Sequence, residues 1–172
     1  LKMIQTGNEG YSEDIEIHRK LMGLPILEID KKFITAPIIM TYPASPHLAA
    51  KIDNCNIDLS KIEKSQEALY KEYDIILMEG AGGLMVPITE DYLTIDYIKD
   101  RNIPMALVTN GQLGSINHTL LSLEAIKNRN IKLKYVIYNS FFDEDKTIAK
   151  ETLKYLENKI KNDFEDSSFL VM

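Results

Sequence analysis

Apolar residues along this chain follow two patterns, which alternate from one end to the other. Unbroken apolar runs are typical of strands buried on both faces of a sheet, and they occur at residues 74–78, 104–109 and 135–138. Apolar residues spaced three to four apart predict helices, at about residues 14–22, 58–73, 114–129 and 143–162. Strands alternating with helices predict an α/β fold with a mostly parallel sheet and helices on both faces.

Shorter segments complete the predicted architecture. We expect the end of a strand at residues 1–5, a short strand or extended segment at 37–42 and a last strand at 169–172. Brief helices are expected at 48–52 and around 97–98, and residues 26–36 are expected to be irregular. Ser12, Ser45 and Asp58 precede helical patterns and are suited to cap them. With no repeat or linker, a single α/β domain over residues 1–172 is the simplest prediction.

Composition narrows the possible function classes. The chain has 172 residues, of which 45% are apolar and 27% charged, as in ordinary globular proteins. Its net charge of −6 argues against a nucleic-acid or anionic-membrane surface. Cys55 is the single cysteine, so no intrachain disulfide can form, and we expect a cytoplasmic protein. The histidines, His18, His47 and His118, are scattered, which makes a zinc site unfavourable; no role is assigned to Cys55.

An acidic residue followed by glycines is the most informative stretch. Glu79 follows the apolar run 74–78, and Gly80, Ala81, Gly82 and Gly83 come directly after it. Open α/β sheets bind ligands at the carboxyl ends of their strands. Glycine lets backbone N–H groups approach an anion closely, and a carboxylate suits Mg²⁺. The stretch therefore predicts a magnesium–phosphate site, with an ordinary tight turn and a solvated glutamate as the alternative.

A second candidate anion site lies at the start of the 114–129 helix. Free N–H groups and the helix dipole favour an anion there. Ser115 and Asn117 add a hydroxyl and an amide that suit a carboxylate or phosphate. Ordinary helix capping is the alternative, and His118 is more typical of a structural histidine than of a base.

Two charged residues near the amino end are further candidates. Lys2 ends the first predicted strand, at the same sheet edge as Glu79 if the strands are parallel, and suits an oxyanion in a transition state. Asp14 suits a second magnesium ligand. The alternatives are a solvated lysine and an aspartate that stabilises its own helix dipole. The P-loop pattern G-x-x-x-x-G-K-[ST] does not occur in these residues.

Several separated motifs match one family in order. They are Lys2 to Gly7, Asp14, Pro43 to His47, Glu79 to Leu84 with Val86-Pro87, Leu113 to His118, and Asn139. The combination resembles the dethiobiotin synthetase family over most of the chain. The glycine motif alone is shared with related amidoligases such as the cobyrinate synthases, whereas its combination with the Ser-Pro-His turn and the Leu-Gly-x-Ile-Asn-His segment is much more specific.

The resemblance implies a P-loop NTPase-like α/β fold and a homodimeric ligase of biotin biosynthesis. Such an enzyme closes the ureido ring of dethiobiotin from 7,8-diaminononanoate and carbon dioxide, with ATP as co-substrate and Mg²⁺ as cofactor. One amine forms a carbamate, ATP phosphorylates it, and the second amine closes the ring with loss of phosphate.

The resemblance also implies roles for individual residues. Lys2 matches the catalytic lysine that stabilises charge on the carbamate and the transferring phosphate. Metal ligands are matched by Asp14 and Glu79. The nucleotide site is matched by Asp14, Glu79, Gly80, Ala81, Gly82, Asn139 and Ser140, with Asn139 at the adenine edge. The diamine site is matched by Thr6, Pro43, Ser45 and Gly82, and its carboxylate by Leu113, Gly114, Ser115 and Asn117 of the neighbouring subunit.

Two departures from the family pattern shape the expectations. Met3 stands where the family usually has proline. The family's P-loop strand lies upstream of its lysine and its last nucleotide-contacting segment lies beyond residue 172. We therefore expect that these ends belong to the protein but lie outside residues 1–172, or that residues 1–172 are a fragment. In either case we expect residues 1–172 alone to bind ATP weakly or not at all and to have little activity. The alternative is a non-catalytic or truncated relative that lacks nucleotide binding. The enzyme hypothesis requires Glu79 and the Gly114 turn to face one cleft, within a subunit or between paired subunits.

Overall fold

The computed structural model describes all residues, 1–172, and divides into two compact units. The first unit spans Leu1–Thr94 and the second spans Ile95–Met172.

The first unit contains short strands and helices in alternation. Its helices are α1 (Glu13–Leu21), α2 (Glu28–Lys31), α3 (Pro46–Ile52) and α4 (Ser60–Leu69). Its strands are β1 (Gln5–Thr6), β2 (Ile39–Met40), β3 (Pro87–Thr89) and β4 (Tyr92–Leu93). β1 and β2 are parallel, whereas β3 and β4 form an antiparallel hairpin that the sequence analysis did not predict. An isolated parallel bridge joins Lys2 to Glu79.

The second unit is a parallel sheet with helices. Its strands are β5 (Met105–Asn110), β6 (Leu133–Asn139) and β7 (Ser168–Val171), in the order β5-β6-β7. Its helices are α5 (which begins at Thr94 and ends at Asp100), α6 (Ser115–Asn128), a 3₁₀ turn (Ser140–Phe142) and α7 (Lys146–Asp163). Parallel pairing in both units confirms the predicted α/β class with a mostly parallel arrangement.

Local capping chemistry fixes the starts of several helices. The Ser12 side chain accepts a hydrogen bond from the Ile15 N–H, which confirms Ser12 as the cap of α1. The last helix begins later than the predicted residue 143: Asp145 caps α7 by accepting from the N–H groups of Thr147 and Ile148. Asp143 lies before the helix and accepts a hydrogen bond from the Tyr138 hydroxyl at 2.9 Å.

Two predicted helix boundaries also move. α4 ends at Leu69 rather than at Tyr73, and its cap position is Leu59. The predicted cap, Asp58, lies one residue before this cap position, and its side chain accepts a hydrogen bond from the Ser60 N–H at 3.0 Å. The predicted irregular stretch 26–36 contains α2, a single turn too short to leave a periodic apolar pattern.

The runs predicted to be buried on both faces are covered on one face only. Residues 74–78 form an extended segment rather than a ladder strand, and Ile75 and Leu77 are 80% and 82% exposed. Ile76 and Met78, which point the other way, are half-buried. β5 likewise exposes Ala106 and Val108. The prediction of double burial is therefore wrong within these units, because an apolar run reports side-chain type and not the presence of a second covering layer.

No helix in the structure is both long enough and apolar enough to cross a membrane.

We expect Gly111→Ala to destabilise the second unit. A Cβ at this position would lie 2.1 Å from the Tyr138 hydroxyl and 2.2 Å from Asp143 Oδ1. Burial, together with the Asp143 hydrogen bond, raises the pKa of Tyr138 to about 12, so the hydroxyl stays protonated and keeps donating to Asp143. A new methyl group at position 111 would therefore have to displace this hydrogen-bonded pair. Overpacking of this kind costs about 1–3 kcal/mol.

Urea unfolding followed by circular dichroism measures this loss. Gly83→Ala is the matched control, because a Cβ there meets nothing within 4 Å. Equal stability of the two variants would contradict the assigned packing at Gly111.

Candidate active site

A buried ammonium group lies at the centre of the candidate site. The Lys2 side chain is 8% exposed, and its Nζ lies 2.6 Å from Asp14 Oδ2 and 3.0 Å from Glu79 Oε1. Nζ also donates to the Gly80 carbonyl at 3.0 Å. A lysine ammonium has three donors, so these three acceptors satisfy it completely. The structure thus brings the predicted Lys2, Asp14 and Glu79 together, and the solvated-lysine alternative is wrong.

Backbone pairing holds Lys2 beside the acidic loop. The Met3 N–H donates to the Glu79 carbonyl at 2.9 Å, and the Glu79 N–H donates to the Leu1 carbonyl at 2.9 Å. Parallel pairing at this point places Lys2 and Glu79 at the same level. Asp14 enters from the first turn of α1, whose start is fixed by the Ser12 cap.

A second ionic cluster supports the first from α2. The Asp30 side chain is 4% exposed and accepts two hydrogen bonds from Arg19, both at 2.9 Å. It also accepts from the Thr35 hydroxyl at 2.7 Å and from the Leu27 N–H at 2.8 Å. Thr35 in turn accepts the Lys2 N–H on its carbonyl at 2.8 Å. Asp30 therefore links the end of α1 to the strand that carries Lys2.

Burial raises the pKa of Asp30, but the hydrogen bonds from Arg19, Thr35 and Leu27 outweigh it and hold the pKa below its ordinary value of 3.8. The same pairing raises the pKa of Arg19. Both groups are consequently charged at neutral pH.

The donor set at the site fits magnesium. Asp14 and Glu79 supply carboxylate oxygens, the ligand type that Mg²⁺ prefers. No group of three or more His, Cys, Asp and Glu side chains is arranged to enclose a metal ion. Mg²⁺ usually binds through one or two carboxylates with water and substrate phosphates, so a pair of carboxylates is sufficient. Asp14 and Glu79 are the residues that would hold it.

The glycine loop needs glycine at one position in particular. Gly82 has φ +82°, in the left-handed region, and a Cβ there would lie 3.1 Å from Val86 Cγ2. The Val86 N–H closes the turn by donating to the Gly83 carbonyl at 3.1 Å. Gly80 and Ala81 lie between this turn and Glu79 and are half-buried. The loop therefore keeps a compact path beside Lys2, whose ammonium contacts the Gly80 carbonyl.

Three of the four predicted diamine residues, Thr6, Pro43 and Ser45, lie on or beside two loops that touch, whereas Gly82 lies in the glycine loop. Thr6 ends β1, and a Cβ on the next residue, Gly7, would be 3.0 Å from Pro43 Cβ. Ser45 begins α3, but its side chain makes no cap hydrogen bond, contrary to the prediction. Its Oγ instead lies 3.1 Å from His47 Nδ1.

The predicted carboxylate and adenine residues lie in the second unit. Gly114, with φ +94°, precedes α6 as predicted. Ser115 Oγ donates to the Asn110 carbonyl at 2.7 Å, so this hydroxyl is committed within its own turn. Leu113 and Asn117 are exposed, and of these two side chains only that of Asn117 carries a polar group, its amide.

Asn139 and Ser140 end β6 and begin the 3₁₀ turn. The side-chain oxygen Oδ1 of Asn139 accepts a hydrogen bond from the Phe141 N–H at 3.1 Å. Ser140 bonds through its N–H and its hydroxyl to the Met172 carbonyl. A role at the adenine edge therefore depends on the Asn139 amide nitrogen.

One residue near the carboxylates was missed by sequence reasoning. His18 Nε2 lies 3.3 Å from Glu79 Oε2. His18 follows Asp14 by four residues on α1, and this spacing puts two side chains on one helix face. That spacing was the available signal, since Asp14 was already a candidate.

A hollow of about 670 Å³ also occurs in the first unit. Its walls include Lys32, Lys61 and Lys64 over an apolar floor. None of the predicted site residues lines it, so the polar cluster around Lys2 and not this hollow defines the candidate site.

Comparison with known proteins gives a consistent result. A protein-family model described as an AAA domain matches residues 1–162. The chain is 47% identical over 171 residues to ATP-dependent dethiobiotin synthetase BioD 2 of Haemophilus ducreyi, covering 99% of this chain and 81% of that protein. It is 44% identical over 171 residues to the BioD 2 protein of Pasteurella multocida, covering 99% and 80%. It is 46% identical over 160 residues to the BioD protein of Chlorobaculum tepidum, covering 93% and 67%.

The parallel strands, the acid-tipped glycine loop and the AAA domain match define a P-loop NTPase-like α/β protein. Within that class, the chain belongs to the dethiobiotin synthetase family.

We expect Asp30→Asn to lower the free energy of unfolding at neutral pH by roughly 2–4 kcal/mol, because it removes the charge that pairs with a largely buried Arg19. The pKa of Asp30 is lower in the folded protein than its ordinary value of 3.8, so its stabilisation is present above that value and is lost as pH falls through the folded pKa.

Urea unfolding of the unaltered protein and of Asp30→Asn at about pH 7 and about pH 3 measures the difference in their free energies of unfolding. This difference should be smaller at the lower pH. Asp91→Asn, at an exposed position, is the control. A difference that is independent of pH would show that the Asp30 charge is not the stabilising feature.

Proposed function

We propose that the protein is an ATP-dependent cyclo-ligase of biotin biosynthesis that closes the ureido ring of dethiobiotin from 7,8-diaminononanoate and carbon dioxide. The observation that carries this proposal is the meeting of Lys2, Asp14 and Glu79, which lie far apart in sequence, at a single ammonium group. The family to which the chain belongs has relatives named ATP-dependent dethiobiotin synthetase, which supports ATP as the co-substrate.

The proposed reaction has three steps. One amine of the diamine attacks carbon dioxide, which forms an N–C bond and releases a proton to give a carbamate. A carbamate oxygen then attacks the γ-phosphorus of ATP, and ADP leaves. The second amine attacks the carbonyl carbon, phosphate leaves with the C–O bond electrons, a proton is lost and the ureido ring is closed.

Lys2 is the residue we assign to charge stabilisation. Negative charge develops on the carbamate and on the transferring phosphoryl group, and a preorganised ammonium in a water-poor position stabilises both. Because Nζ already donates to three acceptors, contact with the substrate requires that the substrate replace one of them. The neutral Gly80 carbonyl is the acceptor that costs least to replace.

Asp14 and Glu79 are proposed to hold Mg²⁺. When bound, the ion neutralises phosphate charge on ATP. Gly80, Ala81 and Gly82 continue from Glu79 as a loop with little side-chain bulk, suited to a close approach of backbone to phosphate. Asn139 and Ser140 are proposed to bind the adenine end.

The diamine is proposed to lie against Thr6, Pro43, Ser45 and Gly82. The Ser45 hydroxyl can donate to His47 Nδ1, which leaves its oxygen lone pairs to accept from an amine. The substrate carboxylate is proposed to bind the start of α6 of a second subunit through Leu113, Gly114, Ser115 and Asn117. The exposed Asn117 amide and the N–H groups at the start of α6 suit that anion. The second subunit, and with it a homodimer, is proposed from the resemblance to the family.

Glu79→Gln is expected to reduce turnover by about 100-fold or more, because it removes a metal-binding charge while keeping the side-chain shape. The measurement is ADP and dethiobiotin formation from ATP, bicarbonate and the diamine. Glu90→Gln, an exposed glutamate beside the β3–β4 turn, is the control. Normal turnover by a folded Glu79→Gln protein would refute the proposed site. Absence of nucleotide binding even in a protein extended upstream of Leu1 would favour the non-catalytic alternative.

Ser45→Ala is expected to raise the KM for the diamine by about fivefold with little change in kcat, since one hydrogen bond contributes about 1 kcal/mol to substrate binding. Ser122→Ala, which removes an exposed hydroxyl bonded to the His118 carbonyl, is the control. Steady-state kinetics with the diamine varied distinguishes the two. A fall in kcat at unchanged KM would remove Ser45 from the binding pocket.

A further inference from the structure

We infer that His18 is a positioning residue for the Glu79 carboxylate, holding the oxygen that Lys2 does not. This inference rests on the proposed magnesium role of Glu79. His18 is not proposed to bind the ion or to transfer a proton.

The two oxygens of Glu79 face different partners. Oε1 lies 3.0 Å from Lys2 Nζ, whereas Oε2 lies 3.3 Å from His18 Nε2. A carboxylate held at one oxygen alone keeps the freedom to rotate about its terminal bond. Contact at the second oxygen removes that freedom, and the plane of the carboxylate is then set before a ligand arrives.

The exposure of this contact favours a positioning role over a structural one. The side chains of His18 and Glu79 are 46% and 50% exposed. Exposed ion pairs contribute little to stability because water screens them. The contact between His18 and Glu79 therefore adds little to folding stability. Its effect is to orient the Glu79 carboxylate, which is proposed to bind the metal ion.

The backbone behind His18 is fixed at both ends of α1. At the start, Ser12 caps the helix and donates to Gln5 Oε1 at 2.7 Å. In the last turn, the neighbour of His18, Arg19, is held by Asp30 at 2.9 Å. Asp14 and His18 share one face of this helix, so a single rigid element presents one magnesium ligand and the group that orients the other.

Mn²⁺ binding to the intact protein with a non-hydrolysable ATP analogue tests the inference, with free Mn²⁺ measured by electron paramagnetic resonance. His18→Leu removes the polar contact and is expected to weaken Mn²⁺ binding by about tenfold or more. His18→Gln keeps an N–H donor near the position of Nε2 and is expected to stay close to the unaltered protein. Lys20→Leu, on an exposed position of the same helix, controls for the effect of leucine on α1.

The outcomes separate this inference from the proposed function. Glu79→Gln serves as the reference: if it binds Mn²⁺ as tightly as the unaltered protein, the proposed metal site itself fails. If Glu79→Gln is weakened but His18→Leu is not, only the role of His18 is overturned. Equal weakening by His18→Leu and His18→Gln also overturns it, because a retained donor should then have compensated.

A measurement on the unaltered protein covers the case in which His18→Leu fails to fold. Imidazole nitrogen chemical shifts from ¹⁵N-labelled protein report which ring nitrogen carries hydrogen. The geometry requires hydrogen on Nε2, facing Glu79. A neutral ring with hydrogen on Nδ1 alone would place two acceptors against each other and would overturn the inference.

Discussion

A positive charge removed from water must be matched by nearby acceptors, and the first unit meets this constraint at Lys2. Its acceptors come from α1, from the end of the 74–79 segment and from the glycine loop. Segments that are distant in sequence are thereby brought to one point. The requirement that stabilises the buried ammonium also assembles the groups that a phosphoryl-transfer site needs. The contacts that keep Lys2 so little exposed therefore also hold Asp14 and Glu79, the two proposed metal ligands, beside it.

A second charge pair makes this arrangement rigid. Asp30 binds Arg19 at the end of α1 and Thr35 beside the first strand, and Thr35 contacts the backbone of Lys2. The ion pair is almost dry, so its Coulomb attraction is little screened, and its four hydrogen bonds offset the cost of desolvation. The buried Arg19–Asp30 pair thus fixes the positions of α1 and the first strand, whereas the carboxylates of Asp14 and Glu79 stay partly exposed to solvent. Such a division lets a site be polar and accessible without being loose.

Local signals in the sequence predicted much of the fold. Ser12 and Gly114 were identified as helix starts because capping and left-handed turns depend on neighbouring residues alone. Strand order and residue type predicted that Lys2 and Glu79 share a sheet edge and that Asp14 suits a metal ligand, and the resemblance to a family added their individual roles. What depends on distant partners was missed: the exposure of Ile75, the Asp143 contact with Tyr138 and the approach of His18 to Glu79. In each case the residue type was compatible with several environments, and only the folded chain selects among them.

The contact between Gly7 and Pro43 has a consequence for how this protein can diverge. The two loops approach so closely that any side chain at position 7 displaces the proline, and residue 7 also has φ +79°, which disfavours replacement. A side chain at position 7 is thus possible only if the Pro43 loop shifts as well. The spacing of the two loops is therefore expected to change through paired substitutions at positions 7 and 43, or not to change at all.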